Sequence, residues 1–186
     1  MNSRKTYHHG DLRAVCLDAA VEALAEGGPA ALSLRELARR AGVSHAAPAH
    51  HFGDKTGLLT AVAAQGYELL ANELDTAWKQ ADTLIEAGVA YVRFAVQHPA
   101  HFEVMFRPTL YRSNDPQLAA ARTRAGELLE RALSTEPGAV GDKAGVAAWS
   151  IVHGFAALWL GGTLSPELGE DPEDAARSVI HLLFEG

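Results

Sequence analysis

Nine histidines are the residues of this sequence best suited to moving protons or holding metals, and their spacing suits neither task. None falls into a His-Glu-x-x-His pattern. His98 and His101 flank Pro99, with Glu103 two residues further on, too sparse a group to predict a metal site. The single cysteine, Cys16, excludes an internal disulfide and a thiolate cluster. There is no Gly-x-Gly-x-x-Gly run, no phosphate-loop lysine and no Gly-x-Ser-x-Gly element. The sequence therefore predicts no enzyme, no metal and no cofactor. What remains chemically suggestive is gathered between Leu32 and Phe52, in LSLRELARRAGVSHAAPAHHF. Its side chains suit binding rather than turnover. Ser33, Ser44, His45 and His50 offer hydrogen bonds to a phosphate or a base edge, Ala46 and Ala47 can meet a thymine methyl, and Lys55 adds a cation just beyond.

Those residues need a scaffold, and the rest of the chain predicts a helical one. Of 186 residues, 48% are apolar and 21% charged, and Ala and Leu recur at three- and four-residue spacing nearly throughout. No long Val/Ile/Thr alternation interrupts them, so the expected fold is all-α with about nine helices. The first runs from Leu12 to Ala25 and ends at Gly27-Gly28-Pro29. Ser33 caps the second, with Glu36 completing a capping-box spacing and Leu32 and Leu37 placed as a staple. Gly42 turns the chain and Val43 plugs the corner. Ser44 is expected to cap a third helix reaching His50, in which Pro48 would distort the fourth position, and Phe52 and His51 face the core. Asp54 caps a long fourth helix from Lys55 to Thr83. Further helices are expected at 84–97, 100–107, 116–133, 142–161 and 172–184.

Charge is distributed unevenly. Residues 1–60 carry seven basic and six acidic side chains, whereas 61–186 carry nine basic and seventeen acidic, for an overall charge of -7. A near-neutral head on an acidic body can bind nucleic acid when its cations share one face. Met1 to Asp11 is almost wholly polar, and the sequence predicts neither a secretory segment nor a membrane span.

Two short helices meeting at Gly42, with Ala38 and Ala41 where they cross, have the dimensions of a helix-turn-helix. The stretch from Asp11 to Leu59 resembles the DNA-binding domain of the TetR family of bacterial transcriptional repressors. The resemblance rests on Ala41-Gly42-Val43-Ser44, the small-residue run that follows, His51-Phe52 and Lys55, and on the approach His8-His9-Gly10-Asp11-Leu12-Arg13. The Ala-Ala-Pro variant resembles one subgroup of the family, which commonly has an aromatic where Ala49 stands and often Arg in place of His50. The resemblance implies two domains, a head over 1–55 and a larger helical body over 56–186 for effector binding and dimerisation. It also implies DNA contacts from Ser33, Ser44, His45, Ala46, Ala47, His50 and Lys55, with Arg4 and Lys5 as an arm.

Trp149-x-x-x-His153-Gly154 supports the resemblance, being similar to a WHG-type body of the same family. Phe94, Phe102, Met105, Phe106, Tyr111, Trp149 and His153 are the candidates for an effector pocket, each with core packing as its alternative. The helix over 146–160 is apolar nearly all round and must be covered on every side. Trp149, Val152, Phe155 and Trp159, with Val179 and Leu183 of the last helix, are thus the expected dimer interface. The function expected is a cytoplasmic bacterial homodimeric repressor on a pseudo-palindromic duplex operator, released by a small apolar or aromatic effector. An activator or ligand-independent regulator with the same head is the alternative, and a helical small-molecule-binding protein without DNA binding is another.

Overall fold

The computed structural model describes residues 12–135 and 142–184, without the side chains of Asp142, Leu183 and Phe184; Arg4 and Lys5 lie outside the described residues. The described residues form nine α-helices and no strand. Helix α1 (Leu12–Ala31) breaks at Gly28, whose left-handed φ of 67° ends the first segment where the Gly-Gly-Pro signal lies. Helices α2 (Leu34–Ala41), α3 (Ala47–Phe52) and α4 (Lys55–Gln80) follow. The body adds α5 (Leu84–Gln97), α6 (Pro99–Met105), α7 (Pro116–Leu133), α8 (Asp142–Leu160) and α9 (Pro172–Phe184).

Local signals explain most boundaries. Ser33 Oγ accepts the Glu36 N–H at 3.2 Å and starts α2. The other half of the capping box is replaced, because the Glu36 carboxylate turns to Arg39 and Arg40 instead. Gly42 closes α2 at φ 65°, and Val43 N–H donates to Ala38 O at 3.1 Å. Asp54 caps α4 as expected. That helix stops at Gln80 rather than Thr83, because Thr83 instead caps α5 through the Glu86 N–H.

Two buried clusters organise the chain. The lower one joins Cys16, Leu24, Leu37, Phe52, Leu58 and Val62 of the head. It is completed by Ala100, Val104, Tyr111 and Leu118, so α6 and α7 of the body help to close the head's core. The upper one surrounds Tyr91 and Phe94 of α5, with α4, α7, α8 and α9 packed about them. Helix α4 runs through both. Two guanidinium–carboxylate forks, Arg93 to Glu173 and Arg177 to Glu86, pin α9 to α5.

Candidate functional site

The third helix starts later than its sequence signal suggests. Ser44 does not cap it through its side chain; Ser44 O accepts the Ala47 N–H at 3.0 Å in a turn, and the helix opens at Ala47 without a side-chain cap. The shift moves Pro48 into the first turn, where its missing N–H costs nothing, so no distortion follows. It also changes which residues face out. Ser44, His45, Ala46, Ala49 and His50 are exposed, but Ala47 is buried, contrary to expectation, and so leaves the outward face. His51, expected in the core, is exposed beside His50, while Phe52 is buried with the Arg13 guanidinium 5.5 Å above its ring.

Ser33 is exposed at the start of α2, and Lys55 is half-buried in the first turn of α4, which follows this face in the chain. Arg39 and Arg40 are engaged with Glu36, and Arg40 also with Glu26. Hydrogen bonds from Arg39 and Arg40 hold the Glu36 carboxyl down at about 2. Arg35 is exposed and has no acidic partner among the described residues, which leaves its charge available to a phosphate. Sequence spacing had singled out serines and histidines; which α2 arginine stays free depends on where Glu36 and Glu26 reach.

In the body, four of the seven effector candidates converge. Phe102 stacks on His153 at 5.1 Å, Phe106 lies edge-on to it at 4.5 Å, and Trp149 tilts over it at 5.3 Å. Their polar centre is Tyr91, which sequence reasoning missed. Trp149 Nε1–H donates to the Tyr91 hydroxyl at 3.2 Å. The same hydroxyl is hydrogen-bonded to His153 Nδ1, 3.0 Å away. Burial lowers the His153 pKa and raises that of Tyr91, so both groups are neutral near pH 7. The available signal was a hydroxyl inside an apolar helix, since a buried tyrosine needs a partner. The other three candidates serve as core. Phe94 is fully buried against His98, Met105 packs on Gly66, and Tyr111 donates to Met105 O at 2.9 Å within the lower cluster.

A groove of about 620 Å³ opens beside the aromatic cluster, walled by Leu84, Leu129, Leu133, Trp149, Val152 and Ile180. Trp149 is the one effector candidate on its wall. Gly126 of α7 also faces it, and a Cβ there would meet no atom within 4 Å. Of the expected interface residues, Val152 and Phe155 are buried inside the subunit, whereas Trp149 is exposed and Trp159 and Val179 are half-buried. The Leu183 side chain lies outside the described residues. Val146, Leu158, Leu160 and Leu182, further apolar positions of the same two helices, are exposed as well. By length and composition α8 is apolar enough to cross a membrane, but in this fold its inner side packs on α5 and α9.

Known proteins share this arrangement. Residues 17–62 match the family described as bacterial regulatory proteins, tetR family, and residues 84–183 match the tetracyclin repressor-like C-terminal domain. The chain belongs to the TetR family. Like its relatives in that family it is a DNA-binding transcriptional regulator, with α2 and α3 as the helix-turn-helix. A protein with unknown function from Rhodococcus sp. RHA1 is similar to it over 98% of both chains, with 32% identity and a TM-score of 0.80. The TetR family transcriptional regulator PfmR from Thermus thermophilus has the same fold, with 24% identity over 92% of this chain and 97% of its own and a TM-score of 0.68. So does the regulator LfrR from Mycobacterium smegmatis, solved in complex with proflavine, at 21% identity, 92% and 93% coverage and a TM-score of 0.62. No curated protein matches the chain.

Proposed function

We propose that this TetR-family member is a cytoplasmic homodimeric repressor that binds a pseudo-palindromic duplex and releases it when a small apolar or aromatic molecule enters the body. The observation that carries the DNA half is the outward face of Ser44, His45, Ala46 and His50, with Lys55 following it and Arg35 on α2 without an acidic partner among the described residues. Lys55 and Arg35 fix the head on phosphates, while His45 and His50 reach base edges. The exposed apolar surface of α8 supports a dimer, since a second copy would cover Trp149, Leu158 and Leu160. Two heads then read half-sites about one helical turn apart.

The groove beside Trp149 supports the effector half. It has the size of a small-molecule site and a predominantly apolar wall. The proflavine complex of LfrR supports a planar guest in a related body. Release follows if the ligand prefers the arrangement in which the heads no longer match the operator. Selection of binding sites from a random duplex library at near-physiological salt tests the DNA half. An enriched palindrome is expected, and no enrichment by the folded protein overturns it. Titrating that duplex with and without an effector found by thermal-shift screening tests release; equal affinities reject it.

A further inference from the structure

Among the described residues, a charged contact joins the connection between α6 and α7 to the head. Arg112 Nη2 donates to Asp54 Oδ2 at 2.7 Å, while Oδ1 of the same carboxylate accepts the Gly57 N–H at 2.8 Å and caps α4. The Arg112 main-chain N–H donates to Thr60 Oγ1 at 3.0 Å, and that hydroxyl donates to Thr56 O at 2.7 Å. Thr60 is 4% exposed, so the connection is seated on α4 rather than lying loosely over it. The approach requires glycine at 57, where a Cβ would stand 2.0 Å from Phe52 O and 2.8 Å from Arg112 Nη1. Asp54 lies two residues beyond the end of the reading helix and immediately before Lys55.

An acidic cap in that place has an electrostatic cost. It completes α4, yet a bare carboxylate beside the lysine that meets phosphate repels the same backbone. We infer that Arg112 is a positioning residue of the DNA-reading head. From the body, it holds the Asp54 carboxylate on the start of α4 and cancels its charge beside the duplex, so that withdrawal of the α6–α7 connection weakens DNA binding. This rests on the reading of α3 and Lys55 as DNA-contacting. The connection is in turn tied to the body's aromatic cluster. Arg122 Nη2 donates to the Tyr111 hydroxyl at 3.4 Å and covers Tyr67, which lies edge-on to Phe106 beside His153.

The full chain and its Arg112→Gln, Asp54→Asn and doubly substituted forms are titrated against the duplex selected by the unaltered protein. Asparagine caps as well as aspartate but carries no charge. Arg112→Gln is expected to weaken binding about tenfold, as one surface charge is lost and another uncovered. Asp54→Asn with Arg112→Gln is expected to stay within about twofold of the unaltered protein, and Asp54→Asn alone to bind at least as tightly as it. A double variant as weak as Arg112→Gln, or an Arg112→Gln protein that binds normally, overturns the inference. Amide hydrogen exchange at Gly57 in the free protein gives a second readout. It is expected to speed up in Arg112→Gln, and unchanged exchange rejects the clamp whether or not any duplex is selected. Should the unaltered protein select no duplex, the DNA reading fails by itself.

Discussion

A buried histidine next to a glutamine makes the stability of this protein depend on pH. His101 is 4% exposed, and its Nε2–H donates to Gln65 Oε1 at 2.9 Å. Its Nδ1 is buried without a partner, so a second proton there would have no acceptor. Burial, and then the neighbouring His98, lower its pKa from 6.5 to about 4. The folded-state value is depressed, so the unfolded chain takes up the proton first as pH falls. The contribution is therefore complete above about pH 6.5 and is lost progressively down to about pH 4. Between pH 6.5 and 5, above the range in which carboxylates titrate, urea unfolding is expected to show a loss of about 2 kcal/mol. His101→Gln keeps a polar group for Gln65 and should remove most of that slope, with His153, also depressed, supplying the remainder. An unchanged slope would show that His101 is not its source.

At the scale of the element, two glycines make opposite predictions. Gly126 sits inside α7 with open space where a Cβ would stand, so Gly126→Ala relieves a helix-interior glycine without a clash. Stability is expected to rise by about 0.5–1 kcal/mol in thermal unfolding. Gly126→Phe projects a ring into the groove and should abolish binding of any ligand lodged there while preserving helicity; retained affinity in calorimetric titration would place the ligand elsewhere. Gly66 faces α6 at close quarters, where a Cβ would lie 2.4 Å from Met105 Sδ and 3.1 Å from His101 Cβ. The rigid histidine Cβ cannot move aside without its helix, so Gly66→Ala should cost about 1–3 kcal/mol.

These elements were legible in the sequence where their signals are local. Ser33, Gly42 and Asp54 act within four residues of themselves, and each ends or starts a helix where its type suggests. Ser44 shows the limit. It has the same chemistry as Ser33, but Gly42 and Val43 leave the chain in a turn that runs to Ala46, and the helix opens three residues later. The six-residue helix that opens at Ala47 buries Ala47, Pro48 and Phe52 and leaves His50 and His51 outside, so Ala47 and His51 depart from their expected sides. The candidate site in the body was legible only in part for another reason. Trp149 and His153 share a face because they are four residues apart, whereas the hydroxyl between them comes from Tyr91, more than fifty residues away. Periodicity identifies apolar faces; it does not report which pairs of faces meet.

For the whole molecule, the question is what covers α8. A 19-residue helix that buries Val152, Phe155 and Ala156 still leaves Val146, Trp149, Leu158 and Leu160 exposed, and Leu182 of α9 is 81% exposed. A single subunit has no further element among the described residues to lay over this surface, so the proposed second copy is the economical cover. In a two-fold interface each substitution acts twice. Leu158 is 49% exposed in the subunit, so Leu158→Glu should leave the fold intact, as judged by circular dichroism and unfolding temperature. Losing two leucine contacts at about 1.5–3 kcal/mol each, before the cost of facing carboxylates, should raise the dimer dissociation constant more than about a hundredfold. Analytical ultracentrifugation across a concentration series reads this directly. The same variant should lose most of its affinity for a two-half-site duplex, yet bind an isolated half-site like the unaltered protein, because its heads are untouched. A Leu158→Glu protein that remains dimeric would move the interface to another face, and one that binds both duplexes normally would separate dimerisation from DNA recognition.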